Sequence, residues 1–230
     1  MQLSPESFQR LPRADKIQLL EALSERDRRN RRNRLAEYRP YAKQREFHDA
    51  GAEHRERLLM AGNQLGKTMA GAAETAMHLS GRYPEWWAGR RFDRPIRMWA
   101  GSVTSEVTRD NVQRNLIGPP NNRGAWGEGL IPGDTIIRTS MKTGVPDAVD
   151  TVTVKHVTGG VSSVGFKSYD QGRTKWQGDT LDAVWFDEEP SMDIYMEGLT
   201  RTNATRGFVF LTFTPLFGMS DVVASFLGET

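Results

Sequence analysis

The sequence predicts an α/β fold, a mainly parallel sheet flanked by helices, preceded by a small N-terminal helical appendage. Three observations predict it. From residue 56 onward, short and nearly unbroken apolar runs alternate with helix-period segments, as they do when parallel strands are buried on both faces. Before that point an arginine-rich stretch of different character is cut off by Pro40. The length of 230 residues with 37% hydrophobic content suits one large α/β domain carrying a minor addition.

Along the chain, Ser4 offers a helix N-cap with Pro5 at the first helical position, and Ile17, Leu19, Leu20 and Leu23 make an apolar stripe at helical spacing. One short and one longer helix are expected, the second running into the arginines. Pro40 pushes Arg39 out of the helical region, so the appendage is placed at 1–37 and the main domain at 38–230. Residues 57–61 read as a buried strand, 67–79 as a helix rich in Ala and Met, 96–100 as a second strand, and 104–116 as a helix. Residues 118–134 are dense in Gly, Pro and Asn and read as loop. The β-rich runs 151–157 and 163–169, joined through Gly159-Gly160, read as a hairpin. Two strongly apolar strands follow at 181–186 and 208–213, with a helix near 191–200 between them. There is no internal repeat and no low-complexity tract.

Composition narrows the chemistry. With no cysteine, disulfides, thiolate metal sites and a Cys nucleophile are excluded. The four histidines, His48, His54, His78 and His156, are scattered with no close pair, which argues against a zinc enzyme. No apolar run approaches the roughly 18 residues of a membrane span, and no signal-peptide stretch opens the chain, so a cytosolic protein without membrane contact is expected. Between Arg26 and Arg45 nine basic residues face two acidic ones, a net of +7 inside a chain whose total is +2. One basic patch on a mildly acidic body suits either a local polyanion or acidic partner, or a solvated helix face.

The chemistry-bearing segments lie at the ends of expected strands. Ala61-Gly62-Asn63-Gln64-Leu65-Gly66-Lys67-Thr68 follows the phosphate-loop spacing G-x-x-x-x-G-K-[ST], with Ala61 in the first glycine's place. Backbone N–H groups and a helix N-terminus would cradle phosphates there, Lys67 would reach the β- and γ-phosphates, and the Thr68 hydroxyl would help hold Mg²⁺. The apolar run 183–186 ends in Asp187-Glu188-Glu189-Pro190. Asp187 suits the Mg²⁺ shell and Glu188 the activation of a water, while Glu189 has no assigned role beyond a supporting or solvated carboxylate. The run 208–213 ends in Thr212-Phe213-Thr214, two hydroxyls on one side of an extended strand, suited to sensing the γ-phosphate. Gln44, behind Tyr41 and Lys43, offers the donor and acceptor that match an adenine edge. Arg173 is the first candidate for neutralising charge on the transferring phosphoryl group, with Arg82, Arg109 and Arg114 as rivals.

These motifs, their order and the preceding Gln resemble the ATPase domain of the large terminase subunit, the motor that packages DNA into procapsids of tailed bacteriophages. The resemblance covers roughly 38–220 and is densest over 169–190. It implies an additional-strand, RecA-like P-loop NTPase fold, ATP and Mg²⁺ as ligands, and ATP hydrolysis coupled to DNA translocation. Lys67 and Thr68 would lie on the phosphates and metal, Asp187 on the metal, Glu188 as catalytic carboxylate, Thr212 and Thr214 as coupling motif, and Gln44 at the adenine. The implied partners are double-stranded DNA, the procapsid portal, the small terminase subunit and further copies in a ring, within the host cell cytoplasm.

Two departures stand out. Some members carry an arginine finger within the phosphate loop where this chain has Asn63, which favours Arg173 acting on a neighbour's nucleotide. Members normally continue into a ribonuclease-H-like nuclease domain, whereas this sequence stops at Thr230, so no nuclease activity is expected of these residues. A DEAD-like helicase would need a second RecA-like domain, for which the chain has no room. A nucleotide-gated nucleic-acid-binding module with little turnover is disfavoured by intact Lys67, Asp187 and Glu188, and a small-molecule kinase by the lack of a lid or acceptor site.

Overall fold

A computed structural model of the chain describes residues 12–215 and 218–228, so the helix start expected at Ser4 and Pro5 falls outside the described residues. The apolar runs assemble into a seven-stranded sheet of order β1-β7-β6-β2-β5-β4-β3. Its strands are β1 (Glu56–Met60), β2 (Arg97–Ser102), β3 (Ile136–Met141), β4 (Val149–Lys155), β5 (Val161–Ser168), β6 (Ala183–Asp187) and β7 (Phe208–Phe213). The five strands from β1 to β5 in that order pair in parallel, and β4 and β3 extend the sheet antiparallel. Thus β7 lies between the strand that leads into 61–68 and the strand that ends at Asp187, the inserted-strand order that the resemblance implies.

The helices are α1 (Arg13–Arg31), α2 (Arg34–Glu37), α3 (Ala42–Asp49), α4 (Lys67–Ser80), α5 at 105–117 with a π-turn over Thr108–Gln113, α6 (Met192–Arg201) and α7 (Asp221–Leu227). Every residue of β6 and β7 is buried, and strand alternation divides their side chains between two core layers. Trp185, Phe208 and Phe210 pack with Ala70, Ala73 and Met77 of α4. Val184, Phe186, Val209 and Leu211 pack with Ile194 of α6 and Val222 of α7. The small residues of α4 let it lie close to the sheet: a Cβ on Gly71 would come within 2.4 Å of the Trp185 indole.

Three expectations are corrected. The strand expected to be buried at 57–61 is the sheet's edge, with Met60 41% exposed. Its leucines face opposite layers, Leu59 towards α4 and Leu58 towards α6 and α7, which makes the run look doubly buried. Strand β3 was not anticipated, because the outer rim it occupies tolerates Arg138, Thr139 and Ser140 in place of an apolar run. In α1 the stripe of Ile17, Leu20 and Leu23 faces solvent, and none of its described residues is buried. The segment is instead attached beyond its end, where Arg32 donates to the carbonyls of Trp126 and Gly133 at 2.9 and 3.1 Å and Leu35 enters the core.

Two of the histidines meet in the core. His48 of α3 and His78 of α4 meet at one buried carboxylate, Glu74: His48 Nδ1 lies 2.7 Å and His78 Nε2 3.3 Å from its oxygens. Arg57 of β1 bonds both Glu74 oxygens and the Phe47 carbonyl, so the charge is balanced by a guanidinium. Burial alone would raise the Glu74 carboxyl, but Arg57 and the two imidazoles outweigh it and hold the group well below the carboxylate range. Chain separations of 26 and 17 residues hide this cluster from inspection of the sequence. Its structural consequence is that α3, β1 and α4 are locked together beneath the phosphate-loop segment.

Candidate nucleotide site

All the strand ends named from sequence converge on the N-terminus of α4. The segment 61–66 leaves β1 and turns into the helix through two positive-φ residues, Gln64 at 60° and Gly66 at 76°. Such alternation of backbone conformation makes a concave nest of N–H groups, and the helix end adds its positive dipole. Gly66 is required twice over, by its φ and because a Cβ would approach Gln44 Nε2 to 2.8 Å. Lys67 is curled over the loop, with Nζ donating to the Gly62 carbonyl at 2.7 Å.

The Thr68 hydroxyl donates to Asp187 Oδ1 at 2.9 Å across 119 residues of chain. Thr212 donates to the same oxygen at 2.8 Å and accepts from Trp185 Nε1 at 2.7 Å. The other oxygen, Oδ2, is buried and has no hydrogen-bond partner among the described residues. A fully buried carboxylate with one oxygen fixed by two hydroxyls and one left over matches a hard, oxygen-seeking divalent cation. Burial pushes the Asp187 carboxyl up to about 7, against the lowering effect of Thr212 and Thr68. The donor set Thr68–Asp187 therefore fits Mg²⁺.

Glu188 has φ of 68°, a conformation that non-glycine residues adopt at a cost of about 1–3 kcal/mol. Its peptide groups are held on both sides. The N–H donates to the Thr212 carbonyl at 3.0 Å, and the carbonyl accepts from the Tyr169 phenol at 2.8 Å. The half-buried carboxyl is raised by desolvation and lowered in part by Lys67. Thr214, just past the end of β7, donates to Asn63 Oδ1 at 2.9 Å, so both candidate coupling hydroxyls touch the site, Thr212 at the carboxylate and Thr214 at the loop.

Two candidates sit differently from the simplest expectation. Gln44 accepts from the Tyr41 N–H at 2.9 Å and donates to the Gly66 carbonyl at 2.9 Å, so its amide braces the loop. Arg173 donates to Glu197 Oε2 on α6 at 2.9 Å, and no contact brings it to 61–68 among the described residues. Its rivals Arg82 and Arg109 are paired with Asp134 and Asp110. Glu189 accepts from the Ser220 hydroxyl, tying the acidic turn to the start of α7.

The residues missed from sequence are Tyr169, Trp185 and Gly71, which hold the acidic turn and its strand without carrying charge. A phenol at the tip of an expected strand, immediately before the Arg173 loop, was the one available signal. A cleft of about 880 Å³ opens beside the loop and runs along the β1 edge, lined by Gln44, Leu59, Ala61, Gln64, Leu65 and Lys67 among others.

A family model described as terminase large subunit, T4likevirus-type, N-terminal, matches residues 58–230. The large terminase subunit of Salmonella phage P22 is 47% identical over 230 residues, covering 93% of this chain and 46% of that protein. That of Enterobacteria phage LP7 is 28% identical over 226 residues, covering 93% of this chain and 48% of its own length. The chain spans about half the length of the curated relatives it matches. Among solved structures, the large terminase of the thermophilic bacteriophage D6E (crystal form 2) superposes with a TM-score of 0.52 at 12% identity, over 76% of this chain and 39% of that one, a likeness of fold.

Proposed function

The chain belongs to the terminase large subunit family, and we propose that it hydrolyses ATP to drive double-stranded DNA into a viral procapsid. The observation that carries this reading is the Thr68–Asp187 bond at 2.9 Å together with the unpartnered Asp187 Oδ2, the arrangement of a metal-nucleotide site. Thr68 and Asp187 would hold Mg²⁺, which when bound neutralises charge between the β- and γ-phosphates. The loop nest binds phosphate oxygens, and Lys67 exchanges the Gly62 carbonyl for them. Glu188 takes the proton of the attacking water, a task suited to a carboxyl raised by desolvation.

Thr212 and Thr214 act as coupling residues, because one bonds the metal carboxylate and the other the loop. Gln44 acts on the nucleotide through Gly66, its amide bracing the loop under the phosphates. Arg173 is the finger, serving a neighbouring subunit's phosphates after release from Glu197. Residues 1–37 form the appendage and 38–230 the ATPase domain, which would act as a homo-oligomeric ring with the portal and the small subunit in the host cytoplasm. No helix among the described residues is long and apolar enough to cross a membrane.

Steady-state ATP hydrolysis over a protein concentration series, with and without double-stranded DNA, tests the reading. Turnover that rises more than linearly with concentration and increases with DNA is expected. Absence of turnover at every concentration with DNA present would overturn it.

A further inference from the structure

The carboxylate turn at the end of β6 is gripped from one side by the Tyr169 phenol. Tyr169 Oη lies 2.8 Å from the Glu188 carbonyl, 3.0 Å from that of Asp187 and 3.3 Å from that of Gly101. A phenol has one proton to give, and the shortest contact assigns it to Glu188. Burial raises the phenol well above its ordinary value, with the Asp187 and Glu188 charges adding to the effect, so it is a donor throughout the working range. The ring packs against both Trp176 and Phe186, which are stacked on each other, at centroid distances of 5.9 and 6.0 Å. The next residue is fixed too, Asp170 N–H donating to the Val103 carbonyl at 3.1 Å.

Glu188 needs such a grip because its φ of 68° is one a carboxylate-bearing residue does not hold unaided. Its N–H is anchored to the Thr212 carbonyl at 3.0 Å. With the carbonyl anchored as well, both peptide planes around its Cα are set, and with them the direction of Cβ. We propose that Tyr169 is a positioning residue for hydrolysis, aiming the Glu188 carboxylate by holding its carbonyl.

This inference rests on the ATPase reading, and a double-mutant cycle separates the two. Tyr169→Phe keeps the ring and removes only the donor. It is expected to lower kcat about 10-fold, the effect of one lost hydrogen bond, with KM for ATP changed less than about 2-fold. Combined with Glu188→Gln, it is expected to add less than about 2-fold, since there is no carboxylate left to aim. Unchanged kcat in Tyr169→Phe overturns the inference. So does a fall that multiplies with that of Glu188→Gln, or one accompanied by lost binding of a non-hydrolysable ATP analogue, the marks of a merely structural role. Glu188→Gln turnover equal to wild type overturns the assignment of Glu188 as the base, and with it this inference, whereas absence of turnover by the wild type overturns the ATPase reading itself.

Discussion

The Thr212 hydroxyl donates to Asp187 Oδ1 at 2.8 Å while accepting from Trp185 Nε1 at 2.7 Å, so the tips of β6 and β7 share one buried hydrogen-bond relay. Thr212→Val keeps the shape, removes the donor to the carboxylate and leaves the indole N–H without an acceptor. An orphaned buried donor costs about 1–3 kcal/mol, or about 2–12 °C in melting temperature for a domain of this size. Calorimetry should find that loss, together with reduced ATP turnover, and Thr212→Ser should restore most of both.

Gln44 separates two modes of nucleotide recognition. Its amide is committed to Tyr41 N–H and the Gly66 carbonyl, so Gln44→Ala should loosen the loop under any nucleotide. Losing about 1 kcal/mol there raises KM about 5-fold, for ATP and GTP alike. A KM that rises for ATP and stays constant for GTP would show instead that Gln44 reads the base.

Gly71 is where α4 meets the sheet most closely. Alanine at that position gains about 1 kcal/mol of helix propensity, yet its methyl would sit 2.4 Å from the Trp185 indole, which is stacked on Phe210. Overpacking of this kind costs about 1–3 kcal/mol. Gly71→Ala should therefore lower the melting temperature, and the loss should shrink in a Trp185→Phe background.

The Glu74 cluster sets the acid side of the stability profile. The Glu74 carboxyl is depressed in the fold, so its contribution is complete above its ordinary value of 4.5 and is lost as pH falls through the folded value. His78 is depressed by burial, while the unfolded imidazole takes a proton near 6.5, so the stability this group contributes declines below that pH as well. These two groups therefore pull the melting temperature down between pH 7 and pH 4, against the raised Asp187 carboxyl, which acts in the opposite sense, so the Glu74 contribution is read as the difference between wild type and Glu74→Gln. Glu74→Gln, which leaves Arg57 buried without its partner, should cost about 3–5 kcal/mol at pH 7 and flatten the slope below pH 5.

What was legible beforehand follows from the range of the interactions. Lys67, Thr68, Asp187 and Glu188 were legible because a strand, a turn and a helix start are local, and their chemistry is written into eight or fewer neighbouring residues. The parallel sheet was legible in the continuous apolar runs of β6 and β7. The rest depends on residues far apart in the chain. His48 and Arg57 reach Glu74 from 26 and 17 residues away, Tyr169 reaches carbonyls 18 and 19 residues on, and β3 is a rim strand whose polar residues carry no pattern. The edge position of β1 was hidden for a related reason: leucines on both faces say that two layers exist, and say nothing about which strand is outermost.

The most direct test of the account is ATP turnover by Glu188→Gln, measured beside ATP binding. The substitution keeps size and hydrogen bonding and removes the base, so turnover is expected to fall at least about 10²-fold while ATP and Mg²⁺ still bind. Turnover equal to wild type would contradict the assignment of the β6 tip as the hydrolytic centre.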